Sequence, residues 1–241
     1  MAKKTTFLTA DWRYLLLANY AVEASVLRRH MPAGVELDDW NGTHYASMVG
    51  LMFEHTRMLG IGFPWHRHFP EVNLRFYVRR KTAEGWKQGV VFVKEIVNKP
   101  AIVLVANTLY QEKYVALPMR HRIETKPTGE LALDYNWKVK GEWNYLRGTA
   151  AAKSEPIPEH SEAEFIAENY WGFTRRSAVR TSEYEVVHPR WTARAVSDYQ
   201  LHCNVAHLYG PEFVEVLQQK PTSVFMADGS PVKIMSGEKV V

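Results

Sequence analysis

Residues 69–80 read F-P-E-V-N-L-R-F-Y-V-R-R, and this stretch decides the fold. Its apolar and polar residues alternate strictly, and successive side chains of a strand point to opposite faces of a sheet. One face, typical of a protein core, carries Val72, Leu74, Phe76 and Val78. The other face carries Glu71, Asn73, Arg75, Tyr77 and Arg79. We interpret this second face either as a solvated sheet surface or as the polar wall of a cavity.

The rest of the chain has the composition of an ordinary globular protein. Its 241 residues are 46% hydrophobic and 23% charged, and β-rich domains of this length often form a single unit. We therefore expect residues 1–241 to form one domain. The net charge of +4, from 30 basic and 26 acidic residues, is too small to indicate nucleic-acid binding.

Cysteine usage and the apolar runs indicate where the protein works. Cys203 is the only cysteine, so no internal disulfide forms, which suits a reducing cytoplasm. Residues 1–12 lack the apolar core of a signal peptide. Apolar runs such as residues 101–106 are too short to span a bilayer. The sequence thus predicts a cytoplasmic protein that does not enter a membrane.

Strand patterns outnumber helical patterns along the chain. We count about ten strand-like segments and about four short helices by periodicity. Helices and strands do not alternate regularly, which argues against a doubly wound parallel sheet. The predicted fold class is α+β and mainly antiparallel β, with the sheet curled into a barrel and a few short helices at its ends.

Local signals place some of these elements. Ser161 and Glu164 match a capping box, which predicts a helix that continues to residue 170. A second short helix is predicted over residues 100–110, because proline is well placed in a first helical turn. Asp228-Gly229 predicts the turn of a final hairpin.

No cofactor or metal motif is complete. Gly60-Ile61-Gly62 lacks the third glycine of a dinucleotide-binding loop and precedes a strand instead of a helix. His66 and His68 have no nearby pair of carboxylates to complete a metal site. We therefore predict neither a cofactor nor a metal.

Two other segments offer polar groups next to apolar ones. Residues 106–119 form the first segment and residues 188–191 form the second. A binding cavity needs a mostly apolar lining with a few converging polar groups. Spacing alone does not establish that these segments converge with residues 69–80. Their polar groups are Tyr110, Lys113, Tyr114, His188 and Arg190.

The order of these segments resembles the YqjF-like family of uncharacterised conserved proteins, a domain of unknown function related to acetoacetate decarboxylases. The similarity covers residues 12–235 and rests on the order and spacing of short marks. These marks are Trp12, Leu27, Pro32, Gly34, Asn41-Gly42, E-V-N-L-R-F-Y-V from Glu71, Ala106-Asn107, Tyr114, Ala116, Met119, His188 and Trp191.

This resemblance implies a cone-shaped, closed antiparallel β-barrel around a central cavity. In the decarboxylases a strand glutamate faces that cavity, and a later lysine forms a Schiff base with a β-keto acid. Glu71 stands where that glutamate would be, and Tyr114 stands about where the lysine would be. Tyrosine cannot form an imine. The neighbouring Lys113 would point in another direction, so we do not expect Schiff-base chemistry.

The resemblance and the polar face together predict a protein that binds a small organic acid or carbonyl compound in a central cavity. If the protein is an enzyme, Glu71 is the general acid or base, and Tyr114 donates a hydrogen bond or relays a proton. The chemistry would be lyase- or isomerase-like, through a stabilised enol. The predicted ligand-binding residues are Asn73, Arg75, Tyr110, Met119, His188 and Trp191.

A different class of function stays open at this point. The chain is alternatively a structural or interaction protein with a filled barrel, which works through a homodimer surface. A hollow barrel lined by Glu71 and Tyr114 would favour the ligand-binding interpretation. Side chains packed as far as the barrel axis would favour the alternative.

Overall fold

A computed structural model describes residues 5–240 of the protein. Strands dominate these residues, and the helices are short. The strands are β1 (Thr6–Ala21), β2 (Glu36–Leu37), β3 (Tyr45–Met58), β4 (Phe69–Thr82), β5 (Gly85–Val97), β6 (Tyr114–Ala116), β7 (Met119–Thr125), β8 (Leu131–Val139), β9 (Glu142–Ala150), β10 (Glu155–Pro156), β11 (Trp171–Ser177), β12 (Arg180–Val187), β13 (Thr192–His202), β14 (Ser223–Met235) and β15 (Glu238–Lys239). The α-helices are α1 (Ala24–Arg28), α2 (Pro100–Val105), α3 (Glu162–Ala167), α4 (Val205–Leu208) and α5 (Val214–Gln218). A π-helix spans Ala106–Tyr110 and a 3-10 helix spans Pro211–Phe213.

Seven strands form a ring of hydrogen-bonded neighbours in the order β12, β11, β5, β4, β3, β1 and β14. The ring closes because β14 also pairs with β12, where Val186 lies opposite Ile234. The pairing of β5 with β11 is parallel, and the other pairings within the ring are antiparallel. The predicted fold class, mainly antiparallel strands with a few short helices, is confirmed.

Strand β4 lies inside this ring, between β3 and β5. Its first ten residues are all buried. The apolar face, with Val72 and Leu74, belongs to the main hydrophobic core. The polar face is also buried, since Glu71 is 3% exposed and Arg75 is 6% exposed. Protein therefore covers both faces of this strand, and the solvated-surface interpretation of residues 69–80 is wrong.

The C-terminal strand β14 corrects the prediction of a final hairpin. Asp228 and Gly229 do not turn the chain, because residues 223–235 form one continuous strand paired with β1. Gly229 has a φ of 77°, and a Cβ there would lie 2.0 Å from the carbonyl oxygen of Trp12. Only glycine permits this conformation and this close approach of two backbones.

The predicted helix start at Ser161 is confirmed. The Ser161 hydroxyl accepts a hydrogen bond from the backbone N–H of Glu164 at 3.2 Å. The Glu164 side chain in turn accepts one from the backbone N–H of His160 at 2.6 Å. The helix ends at Ala167, three residues before the predicted end. Among residues 5–240, no helix has both the length and the apolar character needed to cross a membrane.

The helix predicted over residues 100–110 positions one strand of the site. Helix α2 has its proline in the first turn and continues directly into the π-helix Ala106–Tyr110. Gln111 then adopts a left-handed conformation with a φ of 58°, which ends the helix. The Asn107 side chain accepts a hydrogen bond from the Tyr114 backbone N–H and donates one to the Tyr114 carbonyl oxygen. These contacts tie β6 to the π-helix, and β6 pairs with β5.

Candidate functional site

Three neighbouring strands bring polar side chains to one face of the sheet. Asn73 of β4 lies opposite Glu95 of β5, and Glu95 lies beside Tyr114 of β6. Paired residues of neighbouring strands project to the same face of a sheet. Glu71 shares this face, because it precedes Asn73 by two residues. These four side chains line one pocket.

The pocket has a volume of about 110 Å³. Aliphatic and aromatic side chains from β1, β3, β5 and α2 make most of its lining. A space of this size suits a small molecule better than a nucleotide. The carboxyl and guanidinium groups of its lining come from Glu71, Glu95, Glu112 and Arg75. Within residues 5–240, no group of three or more His, Cys, Asp or Glu is arranged to hold a metal ion.

Two hydrogen bonds hold the carboxyl group of Glu71. The Tyr114 hydroxyl donates to Oε2 at 2.9 Å, and Asn73 Nδ2 donates to Oε1 at 2.8 Å. Burial raises the pKa of Glu71 to about 7, although these two hydrogen bonds oppose the shift. Glu112 raises this pKa further by repulsion, while Arg75 lowers it. A carboxyl group with a pKa near 7 is suited to accept and return a proton at neutral pH.

Two more carboxyl groups face the pocket, and the sequence analysis missed both. Burial raises the pKa of Glu112 to about 7. Burial also raises the pKa of Glu95 well above its usual range, and repulsion from Glu112 and Glu71 adds to this effect. Glu112 accepts hydrogen bonds from the Thr174 hydroxyl at 2.6 Å and from the Tyr184 hydroxyl. The site is therefore a cluster of three buried acids in a mostly apolar pocket.

The sequence carried a signal for each of these acids. Glu95 interrupts the apolar run of β5, and a charged residue inside a buried strand needs a partner. Glu112 precedes Tyr114 by two residues, which places both on one face of an extended segment. Neither signal says which other side chains the acid meets, because that depends on the pairing of distant strands.

Tyr184 of β12 reaches the pocket across a glycine. Gly172 lies directly opposite Tyr184 in the pairing of β11 with β12. A Cβ on Gly172 would lie 2.2 Å from Cζ of the Tyr184 ring. The phenol therefore occupies the space that any other side chain at position 172 would fill, and its hydroxyl contacts Glu112.

Arg75 places a guanidinium in the pocket wall. Its Nη2 donates a hydrogen bond to the carbonyl oxygen of Ile166 at 3.1 Å. Its Nε is buried and has no hydrogen-bond partner among the described residues. A guanidinium N–H donates well to a carboxylate, so Arg75 can hold the acid group of a small ligand.

The structure brings together five of the predicted site residues. The pocket is lined by Glu71, Asn73, Arg75, Tyr110 and Tyr114. Its lining does not include Met119, which begins β7 and pairs with Trp137. It does not include His188 or Trp191 either, whose rings stack with their centres 4.3 Å apart. Roles in ligand binding for these three residues stay predictions.

Lys113 does not line the pocket, although both of its neighbours do. In an extended segment, residues 112 and 114 face one way and residue 113 faces the other. Burial lowers the pKa of the Lys113 amine, and repulsion from Arg175 adds to this effect. The amine nearest in sequence to Tyr114 therefore does not line the pocket, although Glu112 and Glu95 raise its pKa by attraction.

Comparison with known proteins identifies the family. The model of the DUF2071 family, described as an uncharacterized conserved protein, matches residues 9–231. The chain belongs to the DUF2071 family. It is 32% identical over 183 residues to the uncharacterized protein YqjF of Bacillus subtilis (strain 168), which covers 73% of this chain and 70% of that protein. The resemblance drawn from the sequence is confirmed.

Solved structures show the fold of this DUF2071 protein. Acetoacetate decarboxylase from Legionella pneumophila matches with a TM-score of 0.63 and 12% identity, over 100% of this chain and 90% of that chain. The enduracididine biosynthesis enzyme MppR complexed with pyruvate matches with a TM-score of 0.67 and 13% identity, over 99% of this chain and 91% of that chain. An acetoacetate decarboxylase-like enzyme from Sphingomonas wittichii RW1 matches with a TM-score of 0.65 and 12% identity, over 98% and 94%. The chain has the acetoacetate decarboxylase-like fold.

Proposed function

We propose that this protein binds a small keto or carboxylic acid in the pocket and moves a proton on it through Glu71 and Tyr114. The observation that carries this proposal is the 2.9 Å hydrogen bond from the Tyr114 hydroxyl to Glu71 Oε2, within a largely apolar pocket. Burial raises the pKa of Glu71 to about 7. A base with this pKa has the right protonation state and driving force near neutral pH.

The binding part of the proposal depends on Arg75. Its buried Nε is free to donate to the carboxylate of the ligand, while the apolar lining takes the carbon chain. MppR, which shares the fold, is complexed with pyruvate in one of its structures. That complex supports a small acid as the class of ligand for this chain.

The chemical part begins with Glu71 as the base. The Glu71 carboxylate takes a proton from the carbon next to the carbonyl group, and the electron pair of the broken C–H bond forms an enolate. Once Glu71 holds this proton, the single O–H of Tyr114 turns from Glu71 to the enolate oxygen and stabilises the charge that develops there. If the proton returns to another position, the reaction is an isomerisation. If the enolate loses a leaving group, the reaction is that of a lyase. No imine is involved, because tyrosine has no amine.

Deuterium exchange tests this chemistry. The protein is incubated with 2-oxobutyrate in D₂O, and proton NMR follows the methylene group beside the carbonyl. The wild type should speed the exchange of these protons, and Glu71→Gln should abolish the increase. Glu84→Gln is the matched control, because Glu84 lies in an exposed turn.

Equal exchange by the wild type and Glu71→Gln would contradict the role of Glu71. Binding of 2-oxobutyrate without exchange would remove the catalytic part and leave the ligand-binding part.

One observation favours the alternative, an interaction protein that forms a homodimer. The loop between β3 and β4 exposes several apolar side chains, of which Trp65 is the most exposed at 86%. Its exposed apolar residues are Leu59, Ile61, Phe63 and Trp65. Exposed apolar patches often mark protein interfaces. Sedimentation velocity tests this candidate: a dimer that Trp65→Ser dissociates supports it, and a monomer at every concentration rules it out.

A further inference from the structure

We infer that the acid bound in this pocket also carries an ammonium group, so that the ligand class is a small amino acid. This inference rests on the proposed function and names its substrate class. It starts from three buried polar atoms that have no hydrogen-bond partner among residues 5–240. These atoms are Asn73 Oδ1, Arg75 Nε and Glu95 Oε2.

The three atoms belong to one wall of the pocket. Asn73 and Glu95 are paired across strands β4 and β5, so their side chains lie next to each other on the same face. Arg75 follows Asn73 by two residues, about 7 Å further along the strand on that face. The exposed fractions of Asn73, Arg75 and Glu95 are 3%, 6% and 2%. All three side chains line the same pocket.

Each of the three atoms needs a particular kind of hydrogen-bond partner. Asn73 uses Nδ2 to donate to Glu71, so its free Oδ1 only accepts hydrogen bonds. Glu95 Oε2 is also an acceptor when the carboxyl group is ionised. Arg75 Nε only donates. Buried groups of this kind are unfavourable without partners. With Glu95 ionised, a ligand that satisfies all three carries a donor group at one end and an acid group at the other.

The charges of the pocket lining favour an ammonium group over a hydroxyl group as that donor. Three carboxyl groups face the pocket against the single guanidinium of Arg75 among the lining residues. Lys113 is the cation that acts on both Glu95 and Glu112, and it does so from outside the lining. An ammonium group supplies three N–H donors and a positive charge that stabilises the ionised form of these carboxyl groups. A hydroxyl group supplies one donor and no charge.

The protons released or taken up on binding distinguish an amino acid from an acid without an ammonium group. Burial raises the pKa of Glu71 and of Glu112 to about 7, and it raises that of Glu95 well above its usual range. An ammonium group beside these carboxyl groups favours their ionised form and therefore expels protons into the buffer. The tyrosine hydroxyls of the wall, Tyr114 and Tyr184, stay protonated because burial raises their pKa well above the usual range. An acid without an ammonium group would instead take up protons.

Isothermal titration calorimetry with four acids of one carbon skeleton tests the inference. The probes are L-2-aminobutyrate, 2-hydroxybutyrate, 2-oxobutyrate and butyrate, each titrated near neutral pH in two buffers of different ionisation heat. We expect aminobutyrate to bind at least about tenfold more tightly than the other three, since it satisfies the unpaired acceptors as well as Arg75. We also expect it alone to release protons on binding.

Variants separate this inference from the proposed function. Glu95→Gln should remove the preference for aminobutyrate over butyrate. Arg75→Met should lower the affinity for all four acids, and Glu84→Gln should leave all four affinities unchanged. If butyrate and 2-oxobutyrate bind through Arg75 and aminobutyrate binds no more tightly, the inference is wrong and the proposed function stands. If none of the four acids binds, both are wrong. The wild-type series decides this even if a variant fails to fold.

Discussion

Replacement of Glu71 by glutamine tests the electrostatics of the pocket through the stability of the protein. Glu71 is buried, and burial raises its pKa from 4.5 to about 7. Between these two values the folded chain holds a proton at this position and the unfolded chain does not. The contribution of Glu71 to the free energy of unfolding of the wild type must therefore fall as the pH rises through this window. Glutamine does not titrate, so the variant Glu71→Gln should lack this part of the fall.

The magnitude follows from the size of the pKa shift. Each unit is worth about 1.4 kcal/mol, so the carboxyl group of Glu71 destabilises the fold by about 3 kcal/mol above neutral pH. The loss of one hydrogen bond in the variant is the same at every pH and cancels when the two pH values are compared. The stability difference between Glu71→Gln and the wild type should therefore shift by about 3 kcal/mol in favour of the variant between about pH 4 and about pH 8.

Thermal melts across this pH range measure the shift. For a chain of this size about 3 kcal/mol corresponds to roughly 6–12 °C in melting temperature. The exposed residue Glu84 provides the control, and Glu84→Gln should follow the wild type at every pH. A difference between Glu71→Gln and the wild type that stays constant with pH would refute the assignment of a raised pKa to Glu71. A difference that moves in favour of the wild type would refute it as well.

Three further substitutions test particular contacts of buried side chains. Tyr114→Phe removes a hydrogen bond from Glu71 and should lower the free energy of unfolding by about 1–3 kcal/mol. Its loss should also raise the pKa of Glu71, so that the fall in stability extends to higher pH. An unchanged pH profile would argue against this contact. Gly172→Ala places a methyl group in the Tyr184 ring and should cost about 1–3 kcal/mol by overpacking in urea melts; a variant as stable as the wild type would mean that the ring lies elsewhere. Glu183→Gln leaves two basic partners of a fully buried carboxylate without a counter-charge and should cost about 3 kcal/mol; a loss below about 1 kcal/mol would show that these ion pairs contribute little.

Much of the fold was predictable because its signals are local. The strict alternation of residues 69–80 predicts a strand in any protein, and the capping pair of Ser161 and Glu164 predicts where α3 begins. Gly229 shows where local signals mislead. Its positive φ suits a turn, yet here it serves the close approach of β14 to β1. The sequence shows glycine at position 229, but it does not show which strand approaches the backbone there.

The site was only partly predictable because it depends on the register of distant strands. The row of Asn73, Glu95 and Tyr114 requires the pairing of β4, β5 and β6, which includes a register shift next to Arg75. No local pattern reveals such a shift. The burial of Glu71 and Arg75 followed from the family resemblance, whereas the facing acids followed only from the three-dimensional arrangement.

A crystal structure of the protein soaked with 2-oxobutyrate at saturating concentration tests the central claim most directly. We predict the acid in the pocket, with its carboxylate within hydrogen-bond distance of Arg75 Nε and its carbonyl oxygen beside the Tyr114 hydroxyl. We also predict no covalent bond to Lys113. Binding of the acid at another place, or side chains of Glu71 and Arg75 that extend into bulk water, would contradict the account.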